Sequence, residues 1–297
     1  MSRRAILVCG VGAAVAGMPG PAAAYAASPR NDAVSRQLCD LEREHGARLG
    51  VFARNTRTGR TVLHRGHERF PMCSVFKTVA AAAVMRDLDK NGDHLSQRIR
   101  YTKSDVVKSG YAPITGLEQN LAHGMKVEEL CAAAISYSDN AAANLLLGEL
   151  GGPTSITRFC RSVGDGVTRL DRWEPELNSA EPGRLTDTTS PHAIGRTYAR
   201  LTLGDSLEPR HRDRLTGWLL DNTTGAKRLR AGLPEGWTAA EKTGTGSYGT
   251  TNDVGITWPS GREPIVMAVL STKPQAAAPA DEALISKTAA FLAAALT

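Results

Sequence analysis

Segments typical of β-strands stand near both ends of this chain, with a long helical region between them. Residues 48–65, RLGVFARNTRTGRTVLHR, alternate apolar and polar side chains and contain a turn at Thr58-Gly59, which predicts a hairpin. Three more short β-rich runs follow Gly236: WTAAEKTGTG, NDVGITWP and EPIVMAVLST. Strands so far apart can join only if one sheet is built from both ends of the chain around a helical insertion.

The other segments predict helices. The first covers residues 32–45, the last covers 281–296, and the Ala- and Val-rich run 74–88 predicts a buried helix. Further helices are predicted over 126–137, 141–150, 153–163, 190–203 and 208–219. The predicted fold class is therefore α+β: an antiparallel five-stranded sheet flanked by the amino- and carboxy-terminal helices, plus an all-α subdomain, with a cleft between the two.

The amino-terminal residues have the layout of an export signal. A basic start at Arg3-Arg4 precedes an apolar stretch, too short for a membrane anchor, and a small-residue end at Ala26. The paired arginines are also typical of a twin-arginine signal, with the general secretory route as the alternative. We expect residues 1–26 to be removed and the mature protein to be secreted, or periplasmic if the host has an outer membrane, without membrane attachment.

About 270 residues remain after such a cleavage, enough for one large domain or two intertwined ones. We expect an α/β sandwich subdomain built from residues 27–68 and 190–297. The all-α subdomain is expected over residues 69–189.

Charge and composition argue against several classes of function. The chain has 36 Lys and Arg against 30 Asp and Glu, without a dense basic block with interleaved aromatics, so nucleic acid is not an expected partner. Beyond the signal, the cysteines at positions 39, 73, 131 and 160 are far apart and the histidines are scattered, unlike the close pairs of a zinc site. We expect no metal, no cofactor and a monomer.

The stretch FPMCSVFKTVAAAAVM, residues 70–85, places Ser74 and Lys77 one helical turn apart at the head of an apolar run. A buried ammonium is costly without partners, and a desolvated lysine is one way to activate a hydroxyl. At the amino end of a helix, Ser74 would also meet free backbone N–H groups and the positive end of the dipole, which favour an oxyanion. We interpret Ser74 as a candidate nucleophile; a capped helix with a surface lysine is the alternative.

Three more motifs follow along the chain. SDN, residues 138–140, stands between two predicted helices, where a simple helix cap is the alternative explanation. RWEPELN, residues 172–178, contains Glu174 and Asn178. KTG, residues 242–244, lies on a predicted strand, where a lysine beside a glycine lets charge and backbone approach a ligand closely.

In this order, SVFK, SDN and KTG resemble the motif set of the serine penicillin-recognising enzymes. RWEPELN resembles the deacylation loop of class A β-lactamases, and SYSDNAAAN and NTTGAKRLRAGLPEGW also look like sequences of that class. The resemblance covers nearly the whole mature chain. It implies an α/β sandwich with an all-α subdomain and the active site between them. It also implies hydrolysis of the amide of penicillins and cephalosporins through an acyl-serine, which confers antibiotic resistance.

The resemblance implies the catalytic residues. Ser74 would be the nucleophile, and the backbone N–H groups of Ser74 and Thr245 would form the oxyanion hole. Lys77 and Glu174 are alternative bases for acylation, a choice that the sequence leaves open. Glu174 and Asn178 would hold the water that attacks the acyl-enzyme.

Other residues are implied to move a proton or to bind substrate. Ser138 would pass a proton to the β-lactam nitrogen. Substrate contacts are expected from Asn140, Lys242, Thr243, Gly244 and Thr245. A second cation for the substrate carboxylate usually stands where this chain has Thr251; Arg228 is the expected substitute, with Arg230 on the same stretch. Tyr111 is expected to line the mouth of the cleft.

Two further expectations concern the architecture around the site. Arg172 and Asp187 are expected to close an Ω-type loop over residues 172–187, with a solvated surface contact as the alternative. Cys73 would need a cysteine near Gly246 to form the bridge of some carbapenem-hydrolysing relatives, so that bridge is not predicted.

Two other functions compete with hydrolysis. A D-alanyl-D-alanine peptidase would share Ser74, Lys77 and the KTG strand but would not need Glu174 and Asn178. A non-catalytic sensor of β-lactams or cell-wall peptides would form a stable acyl adduct without turnover.

Overall fold

The structure is a computed structural model that describes residues 29–297, with side chains from residue 33 onward. The predicted export signal, residues 1–26, lies outside the described residues. Within the described part of the chain, no helix has the length and apolar character needed to cross a membrane.

The strands are β1 (Arg48–Asn55), β2 (Thr61–His64), β3 (Phe70–Pro71), β4 (Arg98–Ile99), β5 (Met125–Lys126), β6 (Thr188–Thr189), β7 (Thr238–Gly246), β8 (Thr250–Trp258) and β9 (Ile265–Thr272). The α-helices are α1 (Pro29–His45), α2 (Phe76–Ala83), α3 (Asp93–Ser96), α4 (Lys103–Ser109), α5 (Glu118–His123), α6 (Val127–Ser136), α7 (Asn140–Glu149), α8 (Thr154–Ser162), α9 (Pro191–Thr202), α10 (Pro209–Leu220), α11 (Leu229–Gly232) and α12 (Glu282–Leu296).

The five longer strands form one antiparallel sheet in the order β2-β1-β9-β8-β7. Strand β1 pairs along its whole length with β9, so that Val51 lies opposite Val269. The predicted hairpin is present, and the side chain of Asn55 accepts the N–H groups of Arg57 and Thr58 in its turn. The pairing of the first long strand with the last confirms that the sheet is built from both ends of the chain.

Helices cover both faces of this sheet. Alternate residues of β1 point to opposite faces, and Leu49 and Val51 belong to an apolar core shared with α1 and α12. Phe52, which lies between Val51 and Ala53, points to the opposite face and packs in the core under α9. Gly195 lets α9 approach the sheet, because a Cβ there would lie 2.5 Å from the ring of Phe52. The α+β fold class is therefore confirmed.

A helical region packs around α2, all eight residues of which are buried. Its alanines, residues 80–83, allow α6, α7 and α8 to pack closely against it. Lys77 lies on this buried helix and must therefore find polar partners inside the protein.

The helix predicted from Ser74 to Leu88 is present, but its winding is not α-helical throughout. Residues Cys73–Val75 form a 3₁₀ turn, α2 follows, and Val84–Leu88 wind as a π-helical turn. Tyr198 on α9 contacts this 3₁₀ turn, because its hydroxyl donates a 2.7 Å hydrogen bond to the carbonyl of Val75. That contact comes from far along the chain, which is why local periodicity does not predict it.

A two-stranded ribbon stands where the chain enters and leaves the helical region. β3 and β6 pair antiparallel, with Phe70 opposite Thr189 and Pro71 opposite Thr188. The division of subdomains predicted at residues 69 and 189 stays a prediction.

Candidate active site

Ser74 lies in the 3₁₀ turn before α2, and not in the first turn of an α-helix as predicted. The turn packs against β7, where a Cβ on Gly244 would lie 2.9 Å from the carbonyl oxygen of Met72. From β8, Asn252 Nδ2 donates to the carbonyls of Pro71 and Met72 at 2.9 and 3.1 Å. These contacts with the sheet fix the backbone that carries Ser74. In this position the residue is 7% exposed.

Lys77 and Glu174 form a buried ion pair beside Ser74. Lys77 Nζ lies 3.0 Å from Glu174 Oε1, and both side chains are fully buried. Ser74 Oγ donates a 3.2 Å hydrogen bond to the same oxygen. Asn178 Nδ2 donates to the other carboxylate oxygen, Oε2, at 2.5 Å. Glu174 thus contacts the candidate nucleophile through one oxygen and the amide of Asn178 through the other.

Burial lowers the pKa of Lys77 below its ordinary value, and the charge of Glu174 opposes this shift. Lys77 Nζ also donates to Asn140 Oδ1 at 2.6 Å and to the carbonyl of Ser138 at 2.9 Å. Asn140 Nδ2 donates to the carbonyl of Ser109 at 3.0 Å, which leaves one amide hydrogen for a ligand. The ammonium therefore has the oxygen partners that a desolvated cation needs.

Ser138 lies between two lysines, with a left-handed φ of 57°. Its Oγ is 3.0 Å from Lys242 Nζ and 3.4 Å from Lys77 Nζ. Burial and the nearby Lys77 charge hold the pKa of Lys242 well below its usual range. The next residue, Asp139, caps α7 by accepting the N–H of Ala142. The SDN motif thus contains a helix cap and also places a hydroxyl between two amines.

The backbone of Glu174 is fixed by a residue that the sequence analysis does not single out. Asn144 Nδ2 donates to the carbonyl of Glu174 at 2.9 Å, and Asn144 Oδ1 accepts the N–H of Glu174 at 3.0 Å. Asn144 follows Asn140 by four residues on α7, so both side chains lie on the same helix face. That spacing is the signal in the sequence that points to Asn144.

Arg172 and Asp187 bring the two ends of the loop 172–187 together. Arg172 Nε donates to Asp187 Oδ2 at 2.6 Å, and Arg172 Nη1 donates to Ser179 Oγ at 2.8 Å. The buried carboxylate of Asp187 also accepts the backbone N–H groups of Asp171 and Arg172. The role of this pair as a latch stays a prediction.

The two candidate arginines have different surroundings. Arg228 is buried, and its Nη2 donates a 2.7 Å hydrogen bond to Thr245 Oγ1 while Nη1 donates to the carbonyl of Gly244 at 2.9 Å. Arg230 Nε instead lies 3.2 Å from Glu241 Oε1, a fully buried carboxylate. Of the two, Arg228 contacts a residue predicted to hold the substrate carboxylate.

The remaining predicted residues lie around this arrangement. Lys242 Nζ donates to the carbonyl of Thr243 at 2.9 Å. Thr243 Oγ1 lies 2.5 Å from Thr224 Oγ1, and the sequence analysis does not single out Thr224. Tyr111 is 52% exposed, and its carbonyl accepts the N–H of Asn140 at 2.8 Å. Its place at the mouth of the cleft, like the oxyanion-hole role of the Ser74 and Thr245 backbones, stays a prediction.

The fold and these contacts fit a serine enzyme, and the comparisons with known proteins identify the class. A family model described as the β-lactamase enzyme family matches residues 33–296, and the chain therefore belongs to that family. A β-lactamase of Streptomyces lavendulae is 66% identical over 296 residues, which are 99% of this chain and 97% of the relative.

Solved structures agree with this family. The β-lactamase from Streptomyces albus G is similar with a TM-score of 0.88 and 62% identity, over 89% of this chain and 100% of that one. The last common ancestor of the class A β-lactamases of Gram-negative bacteria is similar with a TM-score of 0.84 and 53% identity, over 89% and 99% of the two chains. The resemblance to class A β-lactamases is confirmed.

Proposed function

We propose that this protein is a serine β-lactamase that hydrolyses the amide of penicillins and cephalosporins through an acyl-Ser74 intermediate, and so confers antibiotic resistance. The position of Glu174 carries the proposal, because its carboxylate accepts hydrogen bonds from both Ser74 and Asn178. The same carboxylate can then act as the base twice: first when the serine attacks the β-lactam, and later when a water attacks the acyl-enzyme. Family membership and the names of the relatives support this class of substrate.

In the acylation step, Ser74 Oγ attacks the carbonyl carbon and passes its proton to Glu174. The 3.2 Å hydrogen bond between these groups supports Glu174 as the base, and among the described residues Ser74 Oγ donates to Glu174 and not to Lys77. Lys77, 3.0 Å from the carboxylate, stabilises its charge. The backbone N–H groups of Ser74 and Thr245 hold the oxyanion.

The β-lactam nitrogen must gain a proton when its bond to the carbonyl carbon breaks. Ser138 Oγ supplies this proton, and an ammonium of Lys77 or Lys242 replaces it, since both contact the hydroxyl. The low pKa of Lys242 supports this transfer, because burial makes its ammonium more acidic.

The substrate carboxylate is held at the end of β7. Lys242, Thr243 and Thr245 face it, with the backbone of Gly244 close by, and Arg228 supplies the second positive charge through its contact with Thr245. Asn140 donates its free amide hydrogen to the side-chain amide of the substrate.

Deacylation uses the same carboxylate. After acylation Glu174 returns its proton through Lys77, 3.0 Å away, to the amine that has lost one, and is again a carboxylate. It then takes a proton from a water held with Asn178, the hydroxide adds to the ester carbonyl, and Ser74 Oγ leaves with the proton. Turnover therefore depends on Glu174, and its loss is expected to trap the acyl-enzyme.

The test is to mix the purified protein with a large excess of a chromogenic cephalosporin and to count product per enzyme, alongside Glu174→Ala. We expect many turnovers from the unmodified protein and about one or fewer from the variant. Glu176→Ala is the matched control, because Glu176 is exposed two residues away on the same loop. Many turnovers by Glu174→Ala would overturn the assignment of the base.

Family membership favours hydrolysis over the two competing functions. A single turnover by the unmodified protein would support a sensor. Release of D-alanine from a D-alanyl-D-alanine peptide, without turnover of the cephalosporin, would support a peptidase. Either result would overturn the proposed function.

We also infer that the protein is exported, loses residues 1–26 and acts as a soluble monomer. The basic start, the short apolar stretch and the small residues before Ala27 support cleavage. Mass spectrometry of the secreted protein is expected to find an amino terminus at Ala27, and light scattering is expected to find one chain per particle. A retained signal or a stable dimer would contradict these inferences.

A further inference from the structure

A thiol, a carboxylate and an imidazole meet on the surface between α1 and the β1–β2 hairpin. Cys39 and Glu42 lie three residues apart on α1 and therefore share a helix face. His64 is the last residue of β2. One ligand atom from each of the three residues lies within 4.8 Å of the other two. None of the proposed active-site residues lies on α1 or β2.

We propose that Cys39, Glu42 and His64 bind one divalent cation of the zinc class. This site is separate from the proposed active site and adds a function to the hydrolase. Its role is structural, since it joins the first helix to the first hairpin.

The spacing of the three atoms suits a tetrahedral ion. Three atoms that all lie within 4.8 Å of one another share a point about 2.8 Å or less from each, so small side-chain rotations reach zinc bond lengths of about 2.0–2.3 Å. His64 Nε2 and Glu42 Oε2 are 3.3 Å apart. Two ligands bound to one tetrahedral zinc are separated by about the same distance.

The imidazole nitrogen Nε2 of His64 is buried, and it has no hydrogen-bond partner among the residues that the structure describes. His64 Nε2 is in this state although Glu42 Oε2 is near, because the two atoms are not aligned for a hydrogen bond. The side chain of His64 is only 11% exposed. A buried polar atom without a partner costs free energy, and a metal ion would satisfy it.

The carboxylate of Glu42 has capacity for a metal. Its Oε1 accepts from Arg65 Nε at 2.8 Å and from the N–H of Leu49 at 2.7 Å. Within the described part of the chain, Oε2 accepts only from Arg65 Nη2, at 3.1 Å. A carboxylate oxygen has two lone pairs, so Oε2 keeps one for an ion near His64. The hydrogen bonds from Arg65 orient the ligand, as second partners do at known metal sites.

The donor set selects the kind of ion. A thiolate, an imidazole and one carboxylate suit zinc, whereas calcium and magnesium require mostly oxygen ligands. Cys39 is a free, exposed thiol, so an ion can enter from solvent and keep a water as its fourth ligand.

Cadmium is the first probe, because a cadmium–thiolate bond has a characteristic charge-transfer absorption in the ultraviolet. The purified protein is reduced, freed of reductant and titrated with Cd²⁺, and zinc is then added as a competitor. We expect one Cd²⁺ per chain, an absorption band and displacement by zinc. We also expect zinc to raise the melting temperature, because it binds the folded chain.

Three variants test the ligands. Cys39→Ser is expected to lose the band and the thermal shift, and His64→Gln is expected to weaken binding about tenfold or more. His45→Gln is the matched control, since His45 also lies beside carboxylates, those of Asp281 and Glu44. Unchanged affinity in Cys39→Ser or in His64→Gln would overturn the proposal, as would lost binding in His45→Gln.

Discussion

Lys77 and Lys242 both contact a single hydroxyl oxygen, that of Ser138, at 3.4 and 3.0 Å. The two amines come from α2, in the helical region, and from β7, in the sheet. Two buried ammonium groups near one oxygen repel each other, and this repulsion favours loss of a proton from one of them. The contact therefore links the helical region to the sheet through a site suited to proton transfer.

Removal of this hydroxyl is expected to slow acylation. Ser138→Ala should lower kcat/KM by roughly 10²- to 10³-fold, because the leaving nitrogen loses its proton donor. Rapid mixing with a chromogenic cephalosporin separates the two steps, and the deacylation rate should change less. Ser162→Ala, an exposed serine on α8, is the control and should behave as the unmodified protein.

The low pKa of Lys242 makes stability depend on pH. In the unfolded chain Lys242 has its ordinary pKa, whereas in the folded protein burial holds the pKa well below that value. Between the two values the unfolded state binds more protons, so the free energy of unfolding rises with pH. Lys242→Met should flatten this rise at pH values below about 10, the ordinary pKa of lysine, in urea unfolding. The exposed Lys227→Met should leave the slope unchanged, and equal slopes in all three proteins would refute the prediction.

The absence of a side chain at Gly246 is expected to be necessary for turnover. A Cβ there would lie 2.6 Å from the carbonyl oxygen of Asn178 and 2.7 Å from Cys73 Sγ. Gly246→Ala should displace Asn178 and slow deacylation by about tenfold or more, since small displacements at a site are costly. Gly217→Ala is the control, because a Cβ there meets no atom within 4 Å. Equal deacylation rates for both variants would contradict the argument.

Substitution of Arg228 should mainly weaken substrate binding, whereas substitution of Arg230 should mainly lower the stability of the fold. Arg228→Ala removes the contact with Thr245 and should raise KM about tenfold or more for a substrate with a carboxylate. Arg230→Ala leaves Glu241 buried without its cation and should mainly lower the melting temperature. Steady-state kinetics and thermal unfolding of both variants are the measurements. The opposite pattern would assign the carboxylate contact to Arg230.

Loss of Arg172 is expected to loosen the loop 172–187. Arg172→Ala leaves the buried carboxylate of Asp187 without its cation and should cost about 1–3 kcal/mol of unfolding free energy. Arg184→Ala is the control, because Arg184 is exposed and its partner Glu181 is partly exposed, and its cost should be within about 1 kcal/mol. Denaturant unfolding measures both. Equal costs would show that the pair is an ordinary surface contact.

The sequence predicts elements well where side-chain periodicity alone determines them. For the five helices from α6 to α10, each observed end lies within one residue of the predicted end. The sheet was predictable because its first hairpin alternates apolar and polar residues, its last three strands are β-rich runs, and the two groups can pair only across the insertion. The short helices α3, α4, α5 and α11 were not predicted, since such segments carry too few residues for a periodic signal.

Features that depend on distant contacts were beyond prediction from local sequence. Tyr198 contacts the turn that carries Ser74, and Asn144 holds the backbone of Glu174, although each of these partners lies far away along the chain. The motif spacing suggested both Arg228 and Arg230, and only the folded chain separates their surroundings. The cluster of Cys39 and His64 was missed for the same reason, because its residues come from different elements.

The order of the strands determines when the sheet can form. The central strand, β9, is the last of the five to be synthesised, and β1 and β8 both need it as a neighbour. A nascent chain that ends before Ile265 therefore exposes two unpaired strand edges, which favour association with other chains. Folding of this sheet must wait until Ile265–Thr272 has left the ribosome, and a product that ends before this strand is expected to aggregate.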